Sequence, residues 1–178
     1  MREPNNDVIH AVSSLRATRW FSDAAVRDDE IHALLEATRW TGSARNRQPW
    51  RFIVIRSPAV RNELSLLGSY AAHLAGAPVV VALAVNEDGG GEDAQFDAGR
   101  AAQNLMLAAS ALGLGSCPAS FFPSNNADRA RQLCHMTATW RVRTAISLGH
   151  PAPRPGGTSA IPTGRLPLSQ LVTEIEGP

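Results

Sequence analysis

One long alanine-rich segment constrains the fold of this chain more than any other feature. Apolar residues recur nearly all round the helix predicted from Asp93 to Leu114, so most of its surface must be buried. Its small alanine side chains allow neighbouring helices to approach closely. A single domain of 178 residues rarely encloses a helix so completely. We therefore expect this helix either to form the spine under a sheet or to lie at a dimer interface.

The remaining hydrophobic patterns predict short strands and helices that do not alternate as in a doubly wound fold. Strands are predicted at 51–56, 78–85, 117–122 and 141–149. Further helices are predicted from Asp7, from Asp28 or Asp29 to Trp40, after an N-cap at Ser57, after an N-cap at Asn126, and from Ser169 to Ile175. The three glycines that end the segment from Asn86 to Gly91 predict a flexible turn. No internal repeat or second domain is apparent, which indicates one domain over 1–178.

The composition excludes several classes of protein. Hydrophobic residues make up 44% and charged residues 19%, which is typical of a globular domain. A net charge of +1 gives no reason to expect nucleic acid or membrane partners. The longest apolar run is too short to span a bilayer, and the first residues lack a signal region. These features predict a cytoplasmic protein.

The two cysteines and His73 are residue types that often act in catalysis or metal binding, but here the sequence favours structural roles for them. Cys117 and Cys134 lack metal-ligand spacing, and Cys117 is expected to be a small buried residue. His73 stands alone without an acidic partner, so we expect a surface or packing role. All 17 cationic residues are arginine, which excludes a Schiff-base lysine. Any phosphate site must therefore be built from arginine and backbone amides.

A polar loop between Trp40 and Trp50 is the strongest local candidate for a site. Ser43, Asn46 and Gln48 supply neutral hydrogen-bonding groups. Asparagine tolerates a left-handed backbone, and so does glycine, so the loop can turn tightly. A neutral planar ligand would suit it, but the residues fit a solvated helix-to-strand connection equally well.

A second candidate lies at the end of the first predicted helix. Arg16 and Arg19 flank Ala17 and Thr18, and two arginines three residues apart can face one anion. Arginines near a helix C-terminus also interact favourably with the helix dipole, so both interpretations stay open. Elsewhere the chain lacks a dinucleotide-binding fingerprint, a P-loop, and the common zinc, redox or serine-hydrolase motifs. A bound phosphate-bearing aromatic cofactor could carry the chemistry instead.

Four segments resemble the FMN-dependent nitroreductase family in order and spacing. Residues 41–50, T-G-S-A-R-N-R-Q-P-W, resemble its PS-x-x-N-x-QPW signature, with Gly42 where the family usually has proline. Residues 97–116 resemble its D-x-G-x-A-x-QNLxLAA-x-x-LGLGS segment. Residues 15–21 are similar to its R-R-S-x-R-x-F segment and 165–168 to its R-x-P-L segment. The resemblance implies an α+β fold with a central, mostly antiparallel β-sheet flanked by helices, in an intertwined homodimer centred on the long helix.

The resemblance also implies a set of FMN-binding residues. The phosphate would be held by the 16–19 segment and by the C-terminal arginine. The neutral loop would contact the ribityl chain or ring edge from the partner subunit. A short backbone segment would lie along the isoalloxazine ring, with the Ser120 amide directed at N5. In this order, the residues are Arg16, Ala17, Thr18, Arg19 and Arg165; Ser43, Asn46 and Gln48; and Pro118, Ala119 and Ser120. Leu15, Ala17 and Thr163 depart from the family pattern, and a one-residue deletion would shift Arg16 onto the first arginine of the segment.

The implied activity is oxidoreduction with no catalytic side chain. NAD(P)H would deliver hydride to FMN N5 and leave, and a nitroaromatic, quinone or similar small aromatic acceptor would then occupy the same face. A shared face predicts ping-pong kinetics. Three alternatives stay open: an FMN-binding storage protein without turnover, a flavin-fragmenting or dehalogenating relative with one dedicated substrate, and a flavin-free dimeric interaction module.

Overall fold

The fold is built on one four-stranded antiparallel sheet with helices on both faces. The computed structural model describes residues 6–156, 164–175 and 177. The strands are β1 (Trp50–Ile55), β2 (Val79–Val85), β3 (Gly115–Ser120) and β4 (Arg141–Gly149). Their order across the sheet is β1-β2-β4-β3, and all three pairs are antiparallel. The predicted α+β class with an antiparallel sheet is confirmed.

Six helices and four short 3-10 turns surround the sheet in the described residues. The helices are α1 (Asn6–Ser14), α2 (Asp28–Arg39), α3 (Pro58–Ser65), α4 (Glu87–Gly90), α5 (Ala94–Ala111) and α6 (Ser124–Leu133). The 3-10 turns are Ala44–Asn46, Ala72–Leu74, Gly91–Asp93 and Leu168–Gln170.

The central strand β2 is buried on both faces along its whole length, which explains its uninterrupted apolar sequence. Alternate residues of a strand point to opposite faces. Val79 and Val81 pack with residues of α2 and α5, while Val80 and Ala82 pack with residues of α3 and α6. Fully burying one such side chain contributes roughly 1.5–3 kcal/mol to stability. Packing on both faces of β2 therefore stabilises the positions of the helices on either side of the sheet.

Helix α5 forms the spine on one face of the sheet but is not enclosed by its own chain. Ala98, Ala101, Leu105 and Ala109 are buried against the sheet and α2. On the opposite side Phe96 is 69% exposed beside an open groove of about 470 Å³. The predicted spine under the sheet is confirmed, and a dimer interface on the open side stays a prediction.

The structure corrects several predicted helix boundaries. Helix α2 begins after Arg27 rather than after an acidic cap, because the Glu30 carboxylate accepts from the Arg27 amide at 2.8 Å. Helix α6 begins after Pro123 rather than at Asn126. The segment predicted as a flexible turn is the helix α4, capped by the Asn86 side chain, which accepts from the Gly89 amide at 2.8 Å.

Two further helix predictions have opposite outcomes. The predicted cap at Ser57 is confirmed, with proline at the first helical position. The predicted final helix is wrong, because Ser169 to Ile175 contain only the end of one 3-10 turn. Leu168 and Leu171 of this tail are exposed, and a short helix without a packed apolar face is marginal in water.

Candidate functional site

The outer edge of β3 presents main-chain groups that do not pair with β4. The Phe121 amide donates to the Arg143 carbonyl of β4 at 2.8 Å. Residues of an antiparallel strand alternate between facing the partner and facing away, so the main-chain groups of Ser116, Pro118 and Ser120 face away from β4. The Thr18 amide reaches the Ser116 carbonyl at this edge, at 2.8 Å. Farther along, the Ser120 amide is directed outwards.

The three predicted ring-contacting residues differ in exposure. Pro118 and Ser120 are exposed, whereas Ala119 is buried in the core under the sheet. Proline has no amide hydrogen and is confined to edge positions of a sheet, which explains why it stands on the outward-facing alternation. A flat ligand against this edge would therefore meet the Pro118 ring and the Ser120 amide, and it would meet Ala119 only through its backbone.

The segment from Ala17 to Arg19 runs beside the start of β3. Ala17 forms an isolated parallel bridge with Ser116. Thr18 lies directly over Gly115, where an added Cβ would come within 2.6 Å of the Thr18 methyl carbon. A side chain at 115 would push this segment away from β3. The glycine therefore allows the segment that carries Arg19 to lie against the strand.

Arg19 is a partly buried cation next to a buried histidine. No hydrogen bond or ion pair joins it to any residue within the described ranges, although its charge acts on His73 and Cys117. Burial is the main reason that the pKa of His73 falls to about 4, and the Arg19 charge lowers it further, against the opposing effect of the Pro118 carbonyl. The histidine is therefore neutral at neutral pH, and the Arg19 charge is available for an anion.

His73 is fixed from behind β3 rather than lying on the surface. Its side chain is nearly buried, and its Nδ1 lies 2.8 Å from Ser147 Oγ. The Ser147 hydroxyl donates to the Cys117 carbonyl at 3.2 Å, so Nδ1 donates to Ser147. Cys117 is buried as predicted, and burial raises the pKa of its thiol. The sequence offered no signal for this network, because Ser147 lies 74 residues from His73.

The other two predicted phosphate-binding arginines make local contacts. The Arg16 guanidinium donates to the Ser13 and Leu15 carbonyls, both at 2.8 Å, which fits the helix-end interpretation. Arg165 donates to the adjacent Gly164 carbonyl at 2.8 Å and is exposed. Thr163 lies outside the described residues. Arg19 is thus the best placed of the three for a ligand at β3.

The polar loop brings its three predicted residues together under backbone strain. Asn46 and Gln48 have φ values of 53° and 50°, and Arg45 has 52°. A non-glycine residue in this region costs about 1–3 kcal/mol. Ser43 offsets part of that cost, since its side chain accepts from the Gln48 amide at 2.9 Å and its carbonyl accepts from the Asn46 amide at 3.0 Å. The Gln48 amide group donates to Asn46 Oδ1 at 3.0 Å.

Gly42 is explained by a neighbour in α5 rather than by backbone conformation. Its φ is not positive, but an added Cβ would lie 3.1 Å from an Arg100 guanidinium nitrogen. Sequence reasoning missed Arg100 and Asp97, although their spacing of three residues places them on one face of a helix.

The loop and the strand that carries the predicted ring-contacting residues lie at opposite edges of the sheet. The loop leads into β1, and β3 is the other edge strand. Three strand spacings separate these edges, about 14 Å. A ligand seated against the outer edge of β3 is therefore distant from the Ser43–Gln48 loop of its own chain.

Comparison with known proteins decides which family this arrangement represents. The model of the nitroreductase family matches residues 12–67 and 65–150. The chain belongs to the nitroreductase family. Thus the resemblance carried by the 15–21, 41–50 and 97–116 segments is confirmed.

Individual members of the nitroreductase family match along nearly the whole chain. A protein of Methanothermobacter thermautotrophicus assigned as an NADH dehydrogenase/NAD(P)H nitroreductase is 29% identical over 168 residues, covering 92% of this chain and 87% of its own. The NADH dehydrogenase of Thermus thermophilus is 28% identical, covering 95% and 96%. A structure from Desulfovibrio desulfuricans, assigned as a nitroreductase and solved with FMN, is 31% identical, covers 100% of both chains and superimposes with a TM-score of 0.79.

In the part of the chain that the structure describes, no helix has the length and apolar character that spanning a membrane requires. No group of three or more histidine, cysteine, aspartate or glutamate side chains is placed to hold a metal ion in those residues.

Proposed function

We propose that this chain is an FMN-dependent oxidoreductase that uses NAD(P)H to reduce small aromatic acceptors. The observation that carries the proposal is the outer edge of β3, where the Ser120 amide faces away from β4 on the strand that Arg19 runs beside. The FMN-bound structure from Desulfovibrio desulfuricans, which is similar over the full length, supports the choice of cofactor. Bound FMN would supply hydride acceptance and donation at N5.

The chain's own groups fit that cofactor in kind. The Ser120 amide would donate to N5, and Pro118 and the Ala119 backbone would hold the isoalloxazine. Main-chain recognition tolerates different side chains at position 120. A preorganised amide at the atom where charge changes stabilises the transition state.

Positive charge holds the anionic end of the cofactor. Arg19 is already free of protein partners in the described ranges, and Thr18 and Ala17 place it along β3. Arg16 and Arg165 bind the phosphate once they exchange their local carbonyl contacts for it. A hydrogen bond to a charged group contributes roughly 1.5–3 kcal/mol.

The Ser43, Asn46 and Gln48 side chains serve the cofactor of a second subunit. The separation of about 14 Å across the sheet supports this assignment, because one chain presents the loop and the β3 edge on opposite sides. Val8, Ile9 and Val12 of α1 are all more than half exposed, and so are Leu166 and Leu168 of the tail. A homodimer would cover these apolar side chains.

The nicotinamide and a nitroaromatic or quinone acceptor would use one face of the ring in turn, and a shared face would give ping-pong kinetics. No side chain has to act as acid or base, because solvent can protonate the product. His73 is neutral and lies behind the strand, bonded to Ser147, so it does not take that role.

Purification without added cofactor tests the proposal directly. We expect a yellow protein, or a colourless one that binds FMN at micromolar concentration, and bleaching of the flavin band on anaerobic mixing with NADH or NADPH. A protein that does not bind FMN would refute the flavin function and favour an interaction module. Binding without bleaching would indicate storage, and exclusive turnover of one flavin or halogenated substrate would indicate a dedicated relative.

A further inference from the structure

Three side chains of α5 hold the segment that leads into the strained loop. Asp97, Arg100 and Asn104 contact residues 41–44. Their spacing along the helix is three and four residues, so they lie on one face. We call these three residues the α5 clamp. Residues in strained backbone conformations persist only where the surrounding structure over-determines them. The α5 clamp is the support for the strained loop that comes from a distant part of the sequence.

Asp97 is the buried member of the clamp. It is 2% exposed, and its Oδ2 accepts a hydrogen bond from the Ala44 amide at 2.8 Å. Ala44 immediately precedes Arg45 and Asn46, the first two residues with positive φ. A buried carboxylate is costly unless it is paired and hydrogen-bonded. This bond therefore fixes the start of the turn and satisfies the carboxylate together.

Arg100 joins the carboxylate to the chain before the loop. Its Nη1 lies 3.5 Å from Asp97 Oδ1, and its Nη2 occupies the space over Gly42, 3.1 Å from where a Cβ would be. The guanidinium also lies over the Phe96 ring, 5.7 Å from the centroid. A side chain at 42 would require the guanidinium to shift by a few tenths of an ångström.

Asn104 anchors the loop on its helix side. It donates to Thr41 Oγ1 at 2.8 Å, and that hydroxyl donates to the Thr38 carbonyl at 2.6 Å. The end of α2 and the approach to the loop are thus bonded to α5 through one hydroxyl.

We propose that Asp97 and Arg100 are positioning residues that hold the 43–48 loop in its cofactor-binding conformation. The proposal rests on the proposed function for the identity of the ligand. It differs from a purely structural role, in which Asp97 would only place negative charge near the N-terminus of α5. If Asp97 is a positioning residue, its effect on FMN binding depends on the strained turn. Relieving the strain in the turn should then remove that effect, whereas an effect on helix stability would remain.

The decisive experiment combines Asp97→Ala with Arg45→Gly. FMN affinity is measured by flavin fluorescence at a temperature where thermal unfolding shows every variant folded. We expect Asp97→Ala to raise the FMN Kd about tenfold, equivalent to about 1.4 kcal/mol. Glycine adopts positive φ at little cost, so the double variant should return to within about threefold of the wild-type Kd. Arg45 has no assigned cofactor contact.

The matched control is Asp93→Ala, which removes a carboxylate at the start of the same helix without touching the loop. Its Kd should match the wild type. If Asp97→Ala left the Kd unchanged, or if Arg45→Gly did not restore it, Asp97 would be a helix-stabilising residue and the proposal would be overturned.

Arg100 is tested with Gly42 in a double-mutant cycle. Gly42→Val should raise the Kd about fivefold in the wild type and have little effect in an Arg100→Ala background, because the displaced guanidinium is then absent. Additive effects would show that the two positions act independently and would remove Arg100 from the clamp.

Amide hydrogen exchange separates failure of this inference from failure of the proposed function. In the cofactor-free protein, the amides of Ala44, Asn46 and Gln48 should exchange about tenfold faster in Asp97→Ala than in the wild type. That result supports the clamp even if FMN does not bind. Unchanged exchange rates would overturn it irrespective of FMN binding.

Discussion

The outer edge of β3 and the 43–48 loop, the two regions proposed to bind the cofactor, would offer it hydrogen bonds by opposite means. The β3 edge uses regular extended backbone, and its Ser120 amide is directed outwards by strand alternation alone. The loop uses side chains on a turn with three non-glycine residues at positive φ, and it depends on bonds from Ser43 and α5. The strand should therefore tolerate side-chain changes but not the loss of an amide, whereas the loop should respond to any change in its supports.

The largest expected effect comes from removing the β3 amide. Ser120→Pro deletes the outward N–H without breaking a bond to β4, so FMN should still bind, while flavin reduction by NAD(P)H should slow on the order of 10²–10³-fold, as for other preorganised donors. Stopped-flow bleaching measures it. Ser120→Ala, which keeps the amide, should reduce at nearly the wild-type rate. Equal losses of reduction rate in both variants would show that the Ser120 side chain is required, contrary to the proposed role of its amide.

The next effect concerns pH and the support behind β3. The pKa of His73 is lowered to about 4, so the unfolded chain binds the proton more tightly than the folded chain. The stabilisation is complete above about pH 6.5 and is lost as the pH falls towards 4, by about 3 kcal/mol. Denaturant unfolding at several pH values measures it. His73→Gln should flatten this dependence, and an unchanged slope would place the acid sensitivity elsewhere.

A smaller effect is expected from the cation beside β3. Arg19→Gln should weaken FMN binding by about 1.5–3 kcal/mol, because a charge-assisted contact is lost. Titration with FMN measures the change. Arg39→Gln is a suitable control, since Arg39 forms an exposed ion pair with Glu36 and surface pairs contribute little. Equal FMN affinity in the Arg19 variant and the wild type would show that the Arg19 charge does not contact the cofactor.

The smallest effect separates strain from recognition in the loop. Asn46→Gly should stabilise the fold by about 1 kcal/mol by relieving the positive φ, and it should weaken FMN binding because the amide is lost. Thermal unfolding and FMN titration on the same samples test the opposite signs. If stability and FMN affinity changed in the same direction, the strain at Asn46 would not be linked to FMN binding, and the loop would not differ from β3 in this respect.

Much of the fold followed from local patterns. The apolar run of β2, the alternation of β4 and the Ser57–Pro58 start of α3 were predicted because each reflects the periodicity or capping of its own residues. The last predicted helix was wrong because its leucines lack a packing surface in the described residues. The cap of α2 was missed because it uses the Arg27 amide and the Glu30 carboxylate in place of an acidic N-cap.

The candidate site was only partly predictable. The loop residues Ser43, Asn46 and Gln48 converge as expected, since turn chemistry is local. The network of His73, Ser147 and Cys117 could not be inferred, since it joins residues from three separate elements. The Ala44–Asp97 bond spans 53 positions, and no local pattern encodes such a pairing.

The strands, the long helix and the polar loop followed from local sequence alone, because hydrophobic period and turn preferences act over a few residues. Only the tertiary structure placed the loop and the Ser120 amide at opposite edges of the sheet, left Arg19 partly buried without a protein partner in the described part of the chain, and set Arg100 over Gly42. Those outcomes depend on strand order and on contacts between distant segments, where burial and charge pairing are decided by what the rest of the fold brings together.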